Sequence, residues 1–519
     1  MHKFIRIVLF CKVLNSEGML RIIFGLSLLF CFDLNAQVAS NREFRGVWVA
    51  TVNNIDWPSK PGLSSEEQKK EVVEILDMHA KNKMNAIIMQ IRPAADAMYQ
   101  SDLEPWSRYL TGTPGKAPHP FYDPLSFWIE QCHERNMEFH AWLNPFRVAL
   151  NASEPLAANH IAFQHPDWIV NYGGKLYFDP GLPQACEFVV KVVNDIVARY
   201  DVDAIHFEDY FYPYPLKEDF PDTSSFAKYN RGFLAVQKAD WRRGNVDHII
   251  QMLSVNIKKT KPWVKFGISP FGVWRNKADD VDGSETTAGT TNYDHLYADI
   301  LKWQKNGWID YCLPQLYWQI GHASVDFQTL SNWWAAHSYN RAMYIGQAVY
   351  KLEANSTIPE WKDPNQLIKQ IQLIRQIPQI GGSAFYSSIH FKRDLFGFTQ
   401  SLQNQTYKNP ALVPAMPWID NKAPNPPQRF RKRGHKLKWK TDPAVAEMDK
   451  TVGYLVYLNP VGQAFDAKNP DHTFTITHEK SMVFKPHKRK LRKKYEIRIS
   501  ALDRLHNEST VSKVKVMKL

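Results

Sequence analysis

Cysteine is scarce in this chain: five residues in 519, at positions 11, 31, 132, 186 and 312. None falls into a paired or C-x-x-C spacing, which argues against a disulfide framework and against a zinc site. Other signatures are missing as well. There is no Walker phosphate loop, no G-x-G-x-x-G after a strand pattern, no nucleophile elbow and no H-E-x-x-H. Nucleotide-dependent, zinc-protease and serine-hydrolase chemistries thus lose their usual markers. Beyond the N-terminal region no apolar run approaches the roughly 20 residues of a membrane span. Aromatic rings, by contrast, are plentiful, with 17 Trp and 22 Tyr and an aromatic content of 13%. Exposed Trp and Tyr faces hold sugars, because the apolar face of a pyranose stacks on them, although many such rings belong to a core.

A length of 519 residues exceeds one ordinary domain and fits a barrel plus something smaller. The N-terminus reads as an export signal over residues 1–36. Met19-Leu20-Arg21, the apolar run Ile22 to Phe32 and then Leu34-Asn35-Ala36 form a basic start, an apolar stretch and a small residue at the cut. Met19 is a candidate natural start, and Phe30 before Cys31 does not fit a lipoprotein cleavage site. A periplasmic or secreted protein without a transmembrane segment is expected. Charge is unevenly spread. From Asn421 onward there are 23 Lys and Arg against 9 Asp and Glu, a net +14, so the rest of the chain carries −2 of the total +12.

From Arg42 onward, short apolar strand patterns alternate with amphipathic helical stretches. Strands are expected at Phe44–Thr51, Ala86–Ile91, Glu138–Leu143, Ala204–Phe207, Lys265–Ser269, Ile309–Leu316, Ala342–Ala348 and Gly382–Tyr386. Helices are expected at Glu66–Lys81 behind a Ser64/Ser65 cap, at Leu125–Arg135 behind Asp123, and at Ala185–Arg199. Eight strands with seven crossovers predict a (β/α)8 TIM barrel over residues 42–410. Residues 411–427, with Pro414, Pro417, Pro424, Pro426 and Pro427, read as a proline-rich linker. Short alternating strands over 428–519 predict a small all-β sandwich similar to a fibronectin type III domain.

Barrel active sites lie at the C-terminal ends of the strands. Here those ends carry Gln90-x-Arg92, Trp142-x-Asn144-x-x-Arg147, His206-x-Glu208-Asp209-Tyr210 and Gln315-x-Tyr317-Trp318. Strand alternation puts Ala204, His206 and Glu208 on one face, pointing into the barrel mouth, with Asp209 opening the loop. Glycoside hydrolysis needs carboxyl groups to protonate the leaving oxygen and to act as nucleophile or base. An acid beside rings such as Tyr210–Tyr214 also gains the raised pKa of a proton donor. Glu208 and Asp209 are therefore the candidate catalytic pair. Gln90, Arg92, Asp96, Asn144, Arg147, His206, Tyr210, Gln315 and Tyr317 are candidate sugar-binding groups, and Trp274 and Trp318 candidate stacking platforms. Arg92 and Asp96 suit an internal ion pair equally well. No acid ends the fifth strand; Asp282 and Glu285 in the following loop are distant substitutes.

Several of these motifs, in order, resemble the glycosyl hydrolase-like family ten, formerly a domain of unknown function and common in bacterial envelope proteins. They are Arg42-Glu-Phe-Arg-Gly-Val-Trp48, Gln90-Ile-Arg-Pro93, Ala141-Trp-Leu-Asn-Pro-Phe-Arg147, the His206–Tyr214 run, Gly267-Ile-Ser-Pro-Phe-Gly272 and Pro314-Gln-Leu-Tyr-Trp318. The resemblance spans residues 42 to 400. It implies a TIM barrel and hydrolysis of peptidoglycan glycan strands, particularly strands stripped of peptide. The family's acids after the fourth strand fall on Glu208 and Asp209; Asp is common at the first position, so Glu208 is a lengthened variant. No metal or organic cofactor is implied. The basic runs Arg429–Arg433 and Lys488–Lys494 attract polyanions. In an exported protein the expected partner is an anionic envelope polymer, not nucleic acid. A carbohydrate-binding barrel without turnover, and a hydrolase of another extracellular polysaccharide, remain alternatives at this stage.

Overall fold

Eight short β patterns separated by helices close into a parallel barrel in sequence order. The strands are Phe44–Val49, Ala86–Arg92, Glu138–Leu143, Ala204–Glu208, Lys265–Ser269, Tyr311–Cys312, Ala342–Ala348 and Ile380–Tyr386, and the eighth pairs with the first. The computed structural model describes residues 41–353, 355–441, 443, 446–485 and 493–519. The expected signal segment and most of the Lys488–Lys494 run lie outside the described residues. Of the expected strands only the sixth is much shorter than Ile309–Leu316. Pro314 has no N–H to donate to a ladder, and Gln315 N–H bonds instead to the Pro270 carbonyl (3.0 Å).

The flanking helices begin where their caps direct. Ser64 caps Ser65–Lys81 in a reciprocal capping box with Glu67, and Asp123 accepts from the Leu125 and Ser126 N–H groups to start Pro124–Glu134. Outward-facing strand residues such as Val47, Ile87, Phe139, Ile205 and Ile268 pack against these helices. Inward-facing positions carry Ile88 and the rings of Phe44, Trp48, Trp142, Tyr311 and Tyr344, which fill the barrel. Gly267 makes room for one of them. A Cβ there would stand 1.9 Å from Cζ of the Tyr311 ring.

Polar residues inside the barrel form a continuous chain along its axis. Lys265 pairs with Glu138, and Glu138 also faces His140 Nε2 at 2.9 Å. Burial alone would raise the Glu138 pKa, but Lys265, His140 and His506 hold it well below the usual carboxylate range. The ionised carboxylate therefore accepts from His140 Nε2–H, leaving Nδ1 to accept the Tyr311 hydroxyl (2.8 Å). The Tyr311 oxygen accepts His206 Nδ1–H (2.9 Å), and Ser269 donates to His206 Nε2 (2.9 Å). Each link fixes the tautomer of the next.

Two further β units attach to the barrel. After the third strand, Arg147–Ala149, Ile169–Tyr172 and Lys175–Phe178 form a three-stranded antiparallel sheet, its hairpin turning at Gly173-Gly174 with φ of +57° and +73°. Beyond Gln428 there are two antiparallel sheets. One holds Gln428–Arg433, Lys436–Lys440 and Ser481–Val483; the other holds Thr473–Thr477, Gly453–Pro460, Lys494–Leu502 and Lys515–Lys518. These sheets meet the N-terminal ends of the barrel strands through Arg504–Asp201 (2.9 Å), His478 Nε2 and the His133 carbonyl (2.8 Å), and His506–Glu138 (3.1 Å). The segment between barrel and sheets packs instead of hanging free: Leu412, Val413 and Met416 are buried, and the Trp418 indole bonds Asp310.

One buried ion pair supports the C-terminal rim. Arg92 meets both Glu104 oxygens (2.5 to 2.9 Å) and donates to the Asn144 and Pro145 carbonyls (2.6 and 3.2 Å), with both side chains 0% exposed. Removing one member strands a charge in a dry interior. Glu104→Gln is expected to lower unfolding free energy by about 3–5 kcal/mol, read from equilibrium denaturation; a loss under about 1 kcal/mol would show that the pair does not hold the rim.

Candidate active site

The fourth barrel strand ends at Glu208, whose side chain lines a cavity of about 400 Å³ at the C-terminal rim. Its walls are Trp142 and Tyr386 from the third and eighth strands, Tyr210 and Tyr214 from the loop after the fourth, and Arg147, Tyr172, Lys175 and Tyr177 from the inserted sheet, with Gln90 and Asn53 completing the lining. Glu208 is the one carboxylate among the described lining residues. Burial is the largest influence on it and the neighbouring Asp209 charge the next; together they push its pKa up to about 8, against the opposing pull of Arg147 and of the Asn144 side chain.

Asp209 lies behind the wall, 4% exposed. Burial raises its pKa to about 6, while the hydrogen bond from Tyr214, the nearby Gln315 side chain and the charge of Arg147 act the other way. The adjacent acids thus share one dry environment in which ionising one opposes ionising the other. A carboxyl that holds its proton near neutral pH can deliver it to a glycosidic oxygen in the cavity.

The other expected site residues separate into three groups. Gln90, Asn144, Arg147 and Tyr210 come together around Glu208. Gln90 Oε1 accepts the Thr51 and Val52 N–H groups (3.1 and 2.9 Å), which leaves Nε2 without a protein partner. Asn144 Oδ1 accepts the Trp142 indole N–H (2.9 Å), fixing the amide toward Glu208. Arg147 lies over the Tyr210 ring, 4.5 Å from its centroid. A second group stands just behind the wall. Gln315 donates to the Ser269 carbonyl (3.0 Å) with Asp209 nearby, Tyr317 feels the Glu208 charge and packs near Tyr386, and Trp318 packs edge-on against Phe271.

The third group does not reach the cavity. Arg92 is consumed by Glu104 and two carbonyls, so it organises the Asn144–Arg147 loop; its ion-pair partner is Glu104, not Asp96. Asp96 lines a separate small cleft with Trp106, Arg108 and His160, where burial raises its pKa to about 7. His206 faces inward as expected but sits one layer below the mouth, 0% exposed, with both ring nitrogens bonded; burial keeps it neutral. Trp274 is core, stacked 6.0 Å from Trp333. Asp282 and Glu285 are exposed and do not line the cavity.

The inserted sheet was not anticipated, although Ile169-Val-Asn-Tyr-Gly-Gly-Lys-Leu-Tyr-Phe178 carries its signal: two β-rich runs around a Gly-Gly pair, the sequence of a two-residue hairpin. Tyr386 ends the eighth strand and Trp142 lies near the end of the third, positions that do not by themselves mark either ring as a wall of the cavity.

A parallel barrel whose rim sets a proton-holding carboxyl in an aromatic-walled cleft has the makings of a glycosidase of the TIM-barrel class. Comparison with known proteins agrees. A family model described as glycosyl hydrolase-like 10 matches residues 43–363. The chain is 45% identical over 491 residues to glycosyl hydrolase YngK of Bacillus subtilis, covering 93% of this chain and 94% of that protein. It is 35% identical over 393 residues to glycosyl hydrolase DigH of Escherichia coli, covering 71% and 87%. The glycoside hydrolase domain of PgaB (BpsB) from Bordetella bronchiseptica aligns with a TM-score of 0.48 at 12% identity, covering 70% of this chain and 99% of that one. This chain belongs to the glycosyl hydrolase-like 10 family, and it is a glycoside hydrolase.

Tyr214 donates to the Asp209 carboxylate and so favours its ionised form. Tyr214→Phe is expected to raise the Asp209 pKa by about one to two units. Infrared titration of the carboxyl C=O stretch would show this; an unchanged Asp209 midpoint would mean that the phenol does not stabilise the anion.

Proposed function

We propose that Glu208 is the proton donor of an exported hydrolase that cleaves glycosidic bonds in bacterial cell-wall glycan, with peptide-free peptidoglycan strands as substrate. The observation that carries this reading is the Glu208 carboxyl, the one carboxylate among the described residues that line an aromatic-walled cavity, held protonated near neutral pH. Asp209, buried beside it, is the second acid: it raises the donor's pKa while the Tyr214 hydroxyl holds it in place. Gln90, Asn144, Arg147 and Tyr210 bind sugar hydroxyls and ring faces. Gln315, Tyr317 and Trp318 support them from behind. Export through residues 1–36 would place the enzyme in the periplasm or outside the cell.

The test uses purified enzyme and peptide-free glycan strands. Glu208→Gln is expected to lower kcat about 10²–10⁴-fold while the protein still pellets with strands, and Asp209→Asn to lower it as well. A donor must carry its proton, so wild-type activity should fall as pH rises through about 8. Full activity in Glu208→Gln would remove the assignment. Wild-type activity on another polysaccharide with none on these strands would keep the acid and change the substrate.

The domain reading is that a catalytic barrel at 42–410 is followed by a connecting segment at 411–427 and a fibronectin type III-like sandwich at 428–519. The strand order 1-2-5 in one sheet and 4-3-6-7 in the other supports it. On the smaller sheet Arg431 lies opposite Lys438 and Arg433 opposite Lys436, all exposed, and the third strand adds Ser481 and Val483 beside the lysines. Like charges directly opposed cost stability, and an anionic envelope polymer lying on this face would offset the repulsion. Arg431→Glu with Lys438→Glu is expected to abolish low-salt binding to dextran sulfate, which in wild type should weaken steeply with salt. Equal binding by the variant would rule this face out.

A further inference from the structure

The cavity has a second chemical feature that proton donation does not use. One of its walls is a single face of the inserted sheet. Arg147 pairs with Tyr177, and Tyr172 with Lys175, as cross-strand partners. Directly opposed residues share a face, and Lys175 and Tyr177, two apart on one strand, share it too. All four line the cavity. That face therefore presents two cations about 7 Å apart along the strand direction, set between two tyrosines.

Neither cation is neutralised by a carboxylate: among the described residues neither Lys175 nor Arg147 forms an ion pair within 4 Å. Glu218, the carboxylate at the hairpin turn, accepts the Gly173 N–H (3.2 Å) and is not paired with Lys175. Lys175 is exposed to the cavity, whereas Arg147 is half-buried against the Tyr210 ring. The Gly173-Gly174 turn holds Lys175 at this place, since both glycines have positive φ and a Cβ at Gly173 would stand 2.5 Å from Leu216 Cδ1. The one carboxyl among the described lining residues, Glu208, holds its proton near neutral pH, so the cavity presents positive charge to whatever enters.

We propose that Lys175, with Arg147 beside it, forms a subsite for a carboxylate carried by a sugar unit of the bound glycan. This rests on the glycosidase site proposed above and adds to it a requirement for an acidic sugar. The shared chemistry is a carboxylate, borne either on an ether-linked lactyl group or on the ring carbon of a uronic acid. Tyr172 and Tyr177 flank the cation and pack against the same sugar. The ammonium is a specificity group, not part of proton transfer.

The test is a cycle between enzyme and substrate. Wild type, Lys175→Gln and Lys175→Arg are assayed on lactyl-bearing amino-sugar strands, on uronate-containing oligosaccharides, and on the carboxyl-reduced form of each. On the carboxylated form that the subsite reads, Lys175→Gln should raise KM about tenfold or more with kcat little changed, and Lys175→Arg should restore most of the loss. Carboxyl reduction should cost wild type the same factor, and the cost of Lys175→Gln should vanish on the reduced substrate. Which carboxylated series shows the effect identifies the source. Equal losses on intact and reduced forms, or indifference of wild type to reduction in both series, would overturn the subsite. Calorimetric binding to a Glu208→Gln protein with and without Lys175→Gln gives the same comparison without turnover. A hydrolase reading that failed would therefore leave this result standing or falling by itself.

Discussion

A closed eight-stranded barrel has an interior filled by side chains, so any polar group placed there must be answered by another strand. In this protein that constraint is met by one chain, from Lys265 and Glu138 at the floor through His140 and Tyr311 to His206 and Ser269 beneath the mouth. Because Glu138 is anionic, it dictates the direction of every donor above it. The chain draws on the third, fourth, fifth and sixth strands, and Gly267 is a glycine because the Tyr311 ring occupies the space its side chain would need. His506 reaches Glu138 from the C-terminal sheets, which ties the lower end of this network to the second β unit.

What lies above the network follows from it. With His206 held neutral and fully bonded, the next inward residue on the fourth strand, Glu208, is the first to meet the cavity. Burial and an adjacent acid then give it a raised pKa without any cation placed to oppose that fully; Arg147 and Asn144 moderate the shift and do not reverse it. The Arg92–Glu104 pair acts on the same site from the side, by fixing the carbonyls of Asn144 and Pro145 and hence the direction of the Asn144 amide. The site is built from backbone held by buried charge, with the binding surface added by an inserted hairpin.

The sequence was informative wherever local periodicity and strand-end chemistry decide the outcome. Strand alternation placed Glu208 inward, and the Ser64 and Asp123 caps located two helices to within a residue or two. It was less informative where a role depends on a partner far along the chain. Arg92 and Asp96 are four residues apart and looked like a pair, yet Arg92 closes on Glu104, a contact that only the folded loop creates. His206 lies near the end of its strand, but depth within the barrel cannot be read from alternation, which distinguishes faces and not layers; Trp274 lies in the loop after the fifth strand, where alternation says nothing. Trp274 went to the core because Trp333 and Tyr293 come to meet it. The hairpin that carries Lys175 was legible in its Gly-Gly turn; its position over the mouth was not, because that depends on how the loop after the third strand folds back.

Glu208, half-buried in the cavity wall, holds its proton at neutral pH because the wall shields it from solvent beside a second acid. Selective 13C labelling of glutamate carboxyls, with Glu208→Gln used to assign the resonance, measures this directly. The account predicts a midpoint near 8 for Glu208 and a fall in that midpoint in Asp209→Asn. A midpoint in the ordinary range of about 4 to 5, unmoved by Asp209→Asn, would contradict it.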